Sequence, residues 1–266
     1  MARFKLHRGL TVTCSEIGNK NIPPTVMQNL KTMLPNENSI LRYLPIELEK
    51  RQMLILDSIR FTLEMIDYSY NQLREKLLVT SKMKNRQYDL PELFIYAWSI
   101  VDNSKRFYSL YKKLPSNDNH KNVENLDFLR TFRNTYQHLD QRVDESILIN
   151  EKPIYGSLKW LYTDLETKKT VFSLAISGIN LGTKGHPLYP ESKGNDKKEI
   201  DDIIIETVDN VEMKEINLSE LYENLEVITS KLESKLKDQF KKFNANPVNW
   251  IKRKDIILFF KNEDNC

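Results

Sequence analysis

From residue 47 to residue 78 the chain carries neither glycine nor proline, and Leu48, Leu54, Ile55, Ile59, Leu63, Ile66, Tyr70, Leu73 and Leu77 recur every three or four positions. That period belongs to an amphipathic α-helix whose apolar stripe must be covered by other elements. A helix this long needs a partner of similar length. The sequence supplies one at Asp89-Leu90-Pro91, an acidic cap with a proline suited to the first helical turn. Its apolar positions are Leu93, Ile95, Ala97, Trp98, Val101, Phe107, Leu110 and Leu114, and Pro115 closes it. The polar turn at 116–122 leads to a third helix, predicted from Val123 to about Val143. A fourth is predicted to open at Asn217 or Ser219 and reach about Phe243, with Leu221, Leu225, Ile228, Leu232, Leu236 and Phe240 on one face.

Residues 153–216 have a different texture. The stretches 153–162, 170–179 and 203–211 are rich in β-branched and aromatic residues with partial alternation, and Asp164, Gly178, Gly182, Gly185 and Pro187 punctuate them. They predict a small antiparallel sheet of three or four strands. Residues 1–45, with Pro23, Pro24, Pro35 and an apolar-periodic piece at 26–34, read as an arm with a short helix that packs on the body. Residues 244–266 form a basic tail with Trp250, Phe259 and Phe260. The expected architecture is one domain over 1–266, mainly α and α+β overall. Residues 47–148 and 217–243 form a four-helix bundle, with a β insertion at 153–216 before the last helix.

Composition agrees and excludes several classes. A chain of 266 residues, 40% hydrophobic and 29% charged, suits a soluble globular protein and not a disordered one. Only 7 glycines argue against fibrous architectures. Cys14 and Cys266 are too few for a disulfide framework and lack metal-ligand spacing, which fits a reducing cytoplasm. The basic N-terminus has no apolar stretch suited to a signal peptide, and no apolar run is long enough to span a membrane. Net charge is +3, but residues 191–226 carry twelve acidic groups against four basic, and residues 231–254 eight basic against two acidic. The basic end can line an RNA path or simply complement the acidic segment.

At 100° per residue the third helix separates into two faces. Leu129, Phe132, Tyr136, Leu139 and Val143 fall on the predicted core arc. Arg130, Asn134, Gln137, His138 and Gln141 lie opposite, with Arg133 on the flank. Asn134 and His138, four apart, are surface neighbours. The polar face is poor in acidic residues, unlike an ordinary solvated face that mixes Glu with Lys. Tyr136 and Trp98 are predicted to be packing residues.

The string Arg133-Asn134-Thr135-Tyr136-Gln137-His138 pairs an arginine and a small polar residue with a histidine after three more positions. It resembles the motif of the HEPN superfamily (higher eukaryotes and prokaryotes nucleotide-binding). The string from Trp98 to Asp102 and the flanking Leu139-Asp140-Gln141-Arg142 also resemble a subset of bacterial members. The likeness covers somewhat over half the chain, and the sheet has no counterpart in the minimal family pattern. The resemblance implies a helical bundle and a cytoplasmic homodimer, paired through the motif-bearing helix. It also implies metal-independent endoribonuclease activity, in a toxin or phage-defence setting with an antitoxin or other regulator. The alternative is a non-catalytic module that binds nucleotide, RNA or a protein partner.

The implied chemistry suits these side chains. Cleavage through the 2′-hydroxyl needs a base, an acid and positive charge on the phosphorane, and yields 2′,3′-cyclic phosphate and 5′-hydroxyl ends. A histidine such as His138 serves as base or acid near neutral pH. Arg133 offers a planar fork for two phosphate oxygens. Asn134 can orient the imidazole or touch the phosphate. Arg130, Gln137 and Gln141 are candidate substrate contacts. Plainer roles stay open: Arg133 can pair with Asp140, Asp144 or another helix, and Asn134 and His138 also suit solvated surface. No cofactor or metal site is predicted, since His7, His120 and His186 lie in loop or terminal segments without ligand partners. The segment 177–185 fails the spacing of a phosphate loop and reads as a hairpin turn.

Overall fold

The computed structural model describes residues 33–82, 90–115, 121, 123–148, 153–178 and 199–248. These comprise five α-helices and a four-stranded antiparallel sheet, an α+β arrangement dominated by helix. Helix α1 (Lys50–Lys82) and helix α2 (Leu90–Tyr111) lie antiparallel along each other. The Ser69 and Ser99 hydroxyls meet at 2.9 Å near their middles, and Lys76 pairs with Glu92 at 2.9 Å further along. Their expected stripes are buried, or partly buried at Leu48 and Leu110, apart from Leu54 and Ile95, which are 68% and 63% exposed. Both lie on the far side of their helices from the remaining apolar positions, so apolar character alone misplaced them. The expected cap Asp89 lies outside the described residues.

The sheet has strand order β2-β1-β3-β4, with β1 (Ser157–Thr163), β2 (Thr170–Ile176), β3 (Ile200–Asp209) and β4 (Glu212–Asn217). The fourth strand follows a two-residue turn in which Asn210 and Val211 both have positive φ, at 49° and 61°. Before β1, Gly156 has φ 86°, and a Cβ there would stand 2.1 Å from the Glu206 carbonyl oxygen. Register slips where β3 bulges opposite Trp160, with Asp202 at φ 46°. The bulge meets the last helix. Asn217 donates to Asp202 at 3.1 Å, and the Ile203 amide donates to Ser219 Oγ at 3.2 Å. Strand β1 is fastened to α1 by the Trp160 indole N–H, which donates to Ser81 Oγ at 2.9 Å.

The last helix, here α5 (Leu218–Lys242), follows the expectation closely. Asn217 caps it by accepting from the Ser219 and Glu220 amides at 3.0 and 3.1 Å, and all six predicted core positions are buried. Leu34, Leu41 and Leu44 also enter the core, and Ser39 donates to Glu233 of α5 at 2.5 Å. Of the expected helical piece at 26–34, Met33 and Leu34 are not helical and the rest lies outside the described residues, as do the segment 179–187, His7, His120, His186, both cysteines, Trp250, Phe259 and Phe260. Among the described residues no helix is long and apolar enough to cross a membrane.

The third predicted helix is corrected. A 3-10 turn (Glu124–Leu126) precedes α3 (Leu129–Gln137), and α4 (Leu139–Leu148) follows a break at His138, whose φ and ψ are −120° and 46°. Leu129 and Phe132 are buried as expected, but Tyr136 and Val143 are 36% and 44% exposed. The break turns α4, so Arg142 and Ser146 face inward in place of Val143. Thr135 takes the buried place expected for Tyr136.

Candidate functional site

Helix α3 presents Arg130, Asn134 and Gln137 to solvent, and His138 and Gln141 continue that open surface across the break. His138 closes α3: its amide donates to the Asn134 and Thr135 carbonyls at 3.1 and 3.3 Å. Its carbonyl accepts from Gln141 N at 3.1 Å. The link between Asn134 and His138 therefore runs through the backbone. Arg133 points to α2, where its Nε donates to Asp102 Oδ1 at 3.0 Å, and Arg106 takes the other oxygen at 2.6 Å. The partner is thus neither Asp140 nor Asp144 but a residue of another helix. The Arg133 side chain remains 37% exposed, leaving guanidinium nitrogens for a ligand.

A buried network holds the break. Asp209, at the end of β3, accepts from Thr135 Oγ1 of α3 at 3.0 Å and pairs with Arg142 of α4 at 2.9 Å. Arg142 also reaches Glu145 at 2.5 Å, and Asn210 donates to Asp209 Oδ2 at 3.1 Å. One carboxylate therefore holds the two helices on either side of His138. Breaking such a buried pair is costly, because Arg142 would keep Glu145 as its carboxylate partner and lose the more deeply buried one. Sequence reasoning missed this role for Asp209 and Arg142; the only signal was an arginine one residue short of the apolar Val143. Trp98 adds a second clamp. Its ring stacks on Tyr136 with centroids 4.6 Å apart and planes 16° apart, and its N–H donates to the Tyr155 carbonyl at 3.2 Å.

Beside Arg133 the surface is basic. Burial lowers the Lys105 ammonium below the ordinary lysine value; Asp127 opposes this, while Arg133, Arg130 and Lys112 add to it. Lys112 donates to the Tyr108 hydroxyl at 3.2 Å, and that hydroxyl donates to Asp127 at 2.8 Å. On α4 the exposed Asp140, Gln141 and Asp144 alternate with exposed apolar residues, Ile147 and Leu148 being 59% and 71% exposed. Among the described residues no cluster of His, Cys, Asp and Glu is placed to hold a metal ion. Compared with known proteins, the chain matches no protein-family model, no curated protein and no solved structure.

Proposed function

We propose that this chain is a HEPN-type, metal-independent endoribonuclease built on a helical bundle, with Arg133, Asn134 and His138 at its centre. The observation that carries the reading is the open face of α3, which lacks acidic residues and stands beside a half-exposed arginine held by Asp102. His138 supplies proton transfer to or from the 2′-hydroxyl and the leaving 5′-oxygen. Arg133 places positive charge on the phosphorane, where charge develops during the displacement. Asn134 contacts the phosphate, and Arg130, Gln137 and Gln141 hold the flanking nucleotides. The exposed Tyr136, Val143, Ile147 and Leu148 beside this face suit a second copy, which would join two such faces in a composite cleft. A toxin or defence role with an antitoxin follows the same family reading.

The test is RNA cleavage in EDTA. Wild type is expected to leave 2′,3′-cyclic phosphate ends, and His138→Ala to lose about 10²–10⁴-fold in rate. Arg133→Ala is expected to be similarly impaired, with the fold of both variants intact by circular dichroism. Cleavage that survives both substitutions, or that stops in EDTA, sinks the mechanism. One observation favours the second reading, a non-catalytic nucleotide- or RNA-binding module: Asp102 already neutralises part of the Arg133 charge. Nucleotide binding without any cleavage by wild type would select it.

A further inference from the structure

A groove of about 690 Å³ lies between α1 and α2 and reaches Arg133. Phe61 and Met65 form one wall, and Lys105, Arg106 and Ser109 the other. Phe61 is 56% exposed, one of several exposed large side chains of α1 with Leu54 and Tyr68 at 68% and 61%, and it is the one of these three that lines the groove. Lys105 donates to Ser109 at 3.1 Å, and Arg106 is 54% exposed. Arg130 and Lys112 extend the positive surface past Arg133. The carboxylates beside this cluster are Asp102, shared by Arg106 and Arg133, and Asp127, and Asp57 also lines the groove, so cations still outnumber them. Arg60, also in the groove, is committed to Asp57 and Glu64 at 2.9 and 2.7 Å, and its guanidinium stands 5.9 Å from the Phe61 ring centre.

An exposed aromatic face beside a track of cations has a specific chemical match. Nucleobases stack on such a ring irrespective of sequence, while the phosphodiesters between them follow the positive charge. A duplex cannot offer its bases this way, and an acidic peptide lacks the flat face. We propose that the groove between α1 and α2 binds a single strand of RNA, with Phe61 stacking on a base and Lys105, Arg106 and Arg130 holding phosphates toward Arg133. The choice of RNA over DNA rests on the proposed function; the stacking and phosphate contacts do not.

The experiment measures fluorescence anisotropy of a short 2′-O-methyl oligouridylate in EDTA, which binds as RNA but has no free 2′-hydroxyl to be cleaved. Phe61→Ala is expected to weaken binding about 5- to 150-fold, the loss of one base stack. Lys105→Gln should flatten the dependence of log affinity on log salt by about 0.7, one phosphate contact to a single strand. Phe243→Ala, which removes an aromatic ring 74% exposed on a different surface, should leave affinity unchanged. The groove assignment is overturned if Phe61→Ala binds like wild type, if Phe243→Ala loses as much, or if duplex RNA competes as well as single strand. It is also overturned if Phe61→Ala turns a dimer into a monomer in sedimentation, which would give the ring to a second copy. Tighter binding of the matching DNA strand overturns the choice of RNA. Cleavage of ordinary RNA, measured in parallel, separates the two proposals. Groove-dependent binding without cleavage sinks the ribonuclease reading alone, and cleavage with binding indifferent to Phe61 sinks the groove alone.

Discussion

Helices α5 and α4 bury different kinds of side chain. Helix α5 buries leucine, isoleucine and phenylalanine along one stripe, and it admits one buried carboxylate, Glu233, which accepts from Ser39. Helix α4 buries Arg142 and Ser146 and turns Val143, Ile147 and Leu148 outward. For stability alone α4 is a poor choice, since apolar residues of similar volume commonly match or exceed a buried ion pair. What the polar arrangement supplies is geometry: Asp209 holds both helices that flank His138. The difference teaches where to look in this molecule. Regular burial marks scaffold, and inverted burial marks the segment whose position matters.

Several substitutions break or sharpen that contrast. Asp209→Ala should destabilise by about 3–5 kcal/mol in urea unfolding, because Arg142 stays buried with only Glu145 to pair with and Thr135 loses a buried acceptor. The double variant Arg142→Met with Asp209→Leu should recover most of that loss while leaving His138 less well placed. A double variant as unstable as the single one would show that stranded charge is not the cause. In the scaffold helix, Leu225→Ala should cost about 2–5 kcal/mol as an ordinary cavity, with no specific effect on RNA cleavage at matched folded fraction. Asn217→Ala should cost about 1 kcal/mol, since two amides at the start of α5 lose their acceptor. The smallest effect has the opposite sign. Val211→Gly should stabilise by roughly 0.5–1 kcal/mol, because a β-branched residue leaves a left-handed position that glycine occupies freely. An unchanged melting midpoint there would mean that the turn beside Asp209 carries no strain.

The scaffold was largely legible in the sequence, and the site only in part. The stripe from Leu221 to Phe240 and the Asn217 cap are local features, and local periodicity finds them. The pairing of α1 with α2 follows from two long stripes without breakers. The break at His138 has no glycine or proline to announce it. It depends on Asp209, 74 residues beyond Thr135, and no spacing rule reaches that far. The same distance problem hid the partner of Arg133, which lies 31 residues earlier on α2. The expected three or four strands include β4 in number but not in place, because its apolar content is thin, with Ile216 its one buried residue. The motif residues were singled out by the chemistry of their types, whereas the neighbours that hold them are ordinary residues met in an unusual place.

The stack of Trp98 on Tyr136 has a practical consequence. The indole is almost wholly enclosed, while the phenol covering it stays 36% open to water. Anything that settles on Tyr136, whether a strand of RNA or a second subunit, changes the polarity felt by that pair. With Trp160 and Trp250 replaced by phenylalanine, the native emission of Trp98 becomes a label-free optical signal of occupancy, read within a few ångströms of the motif helix.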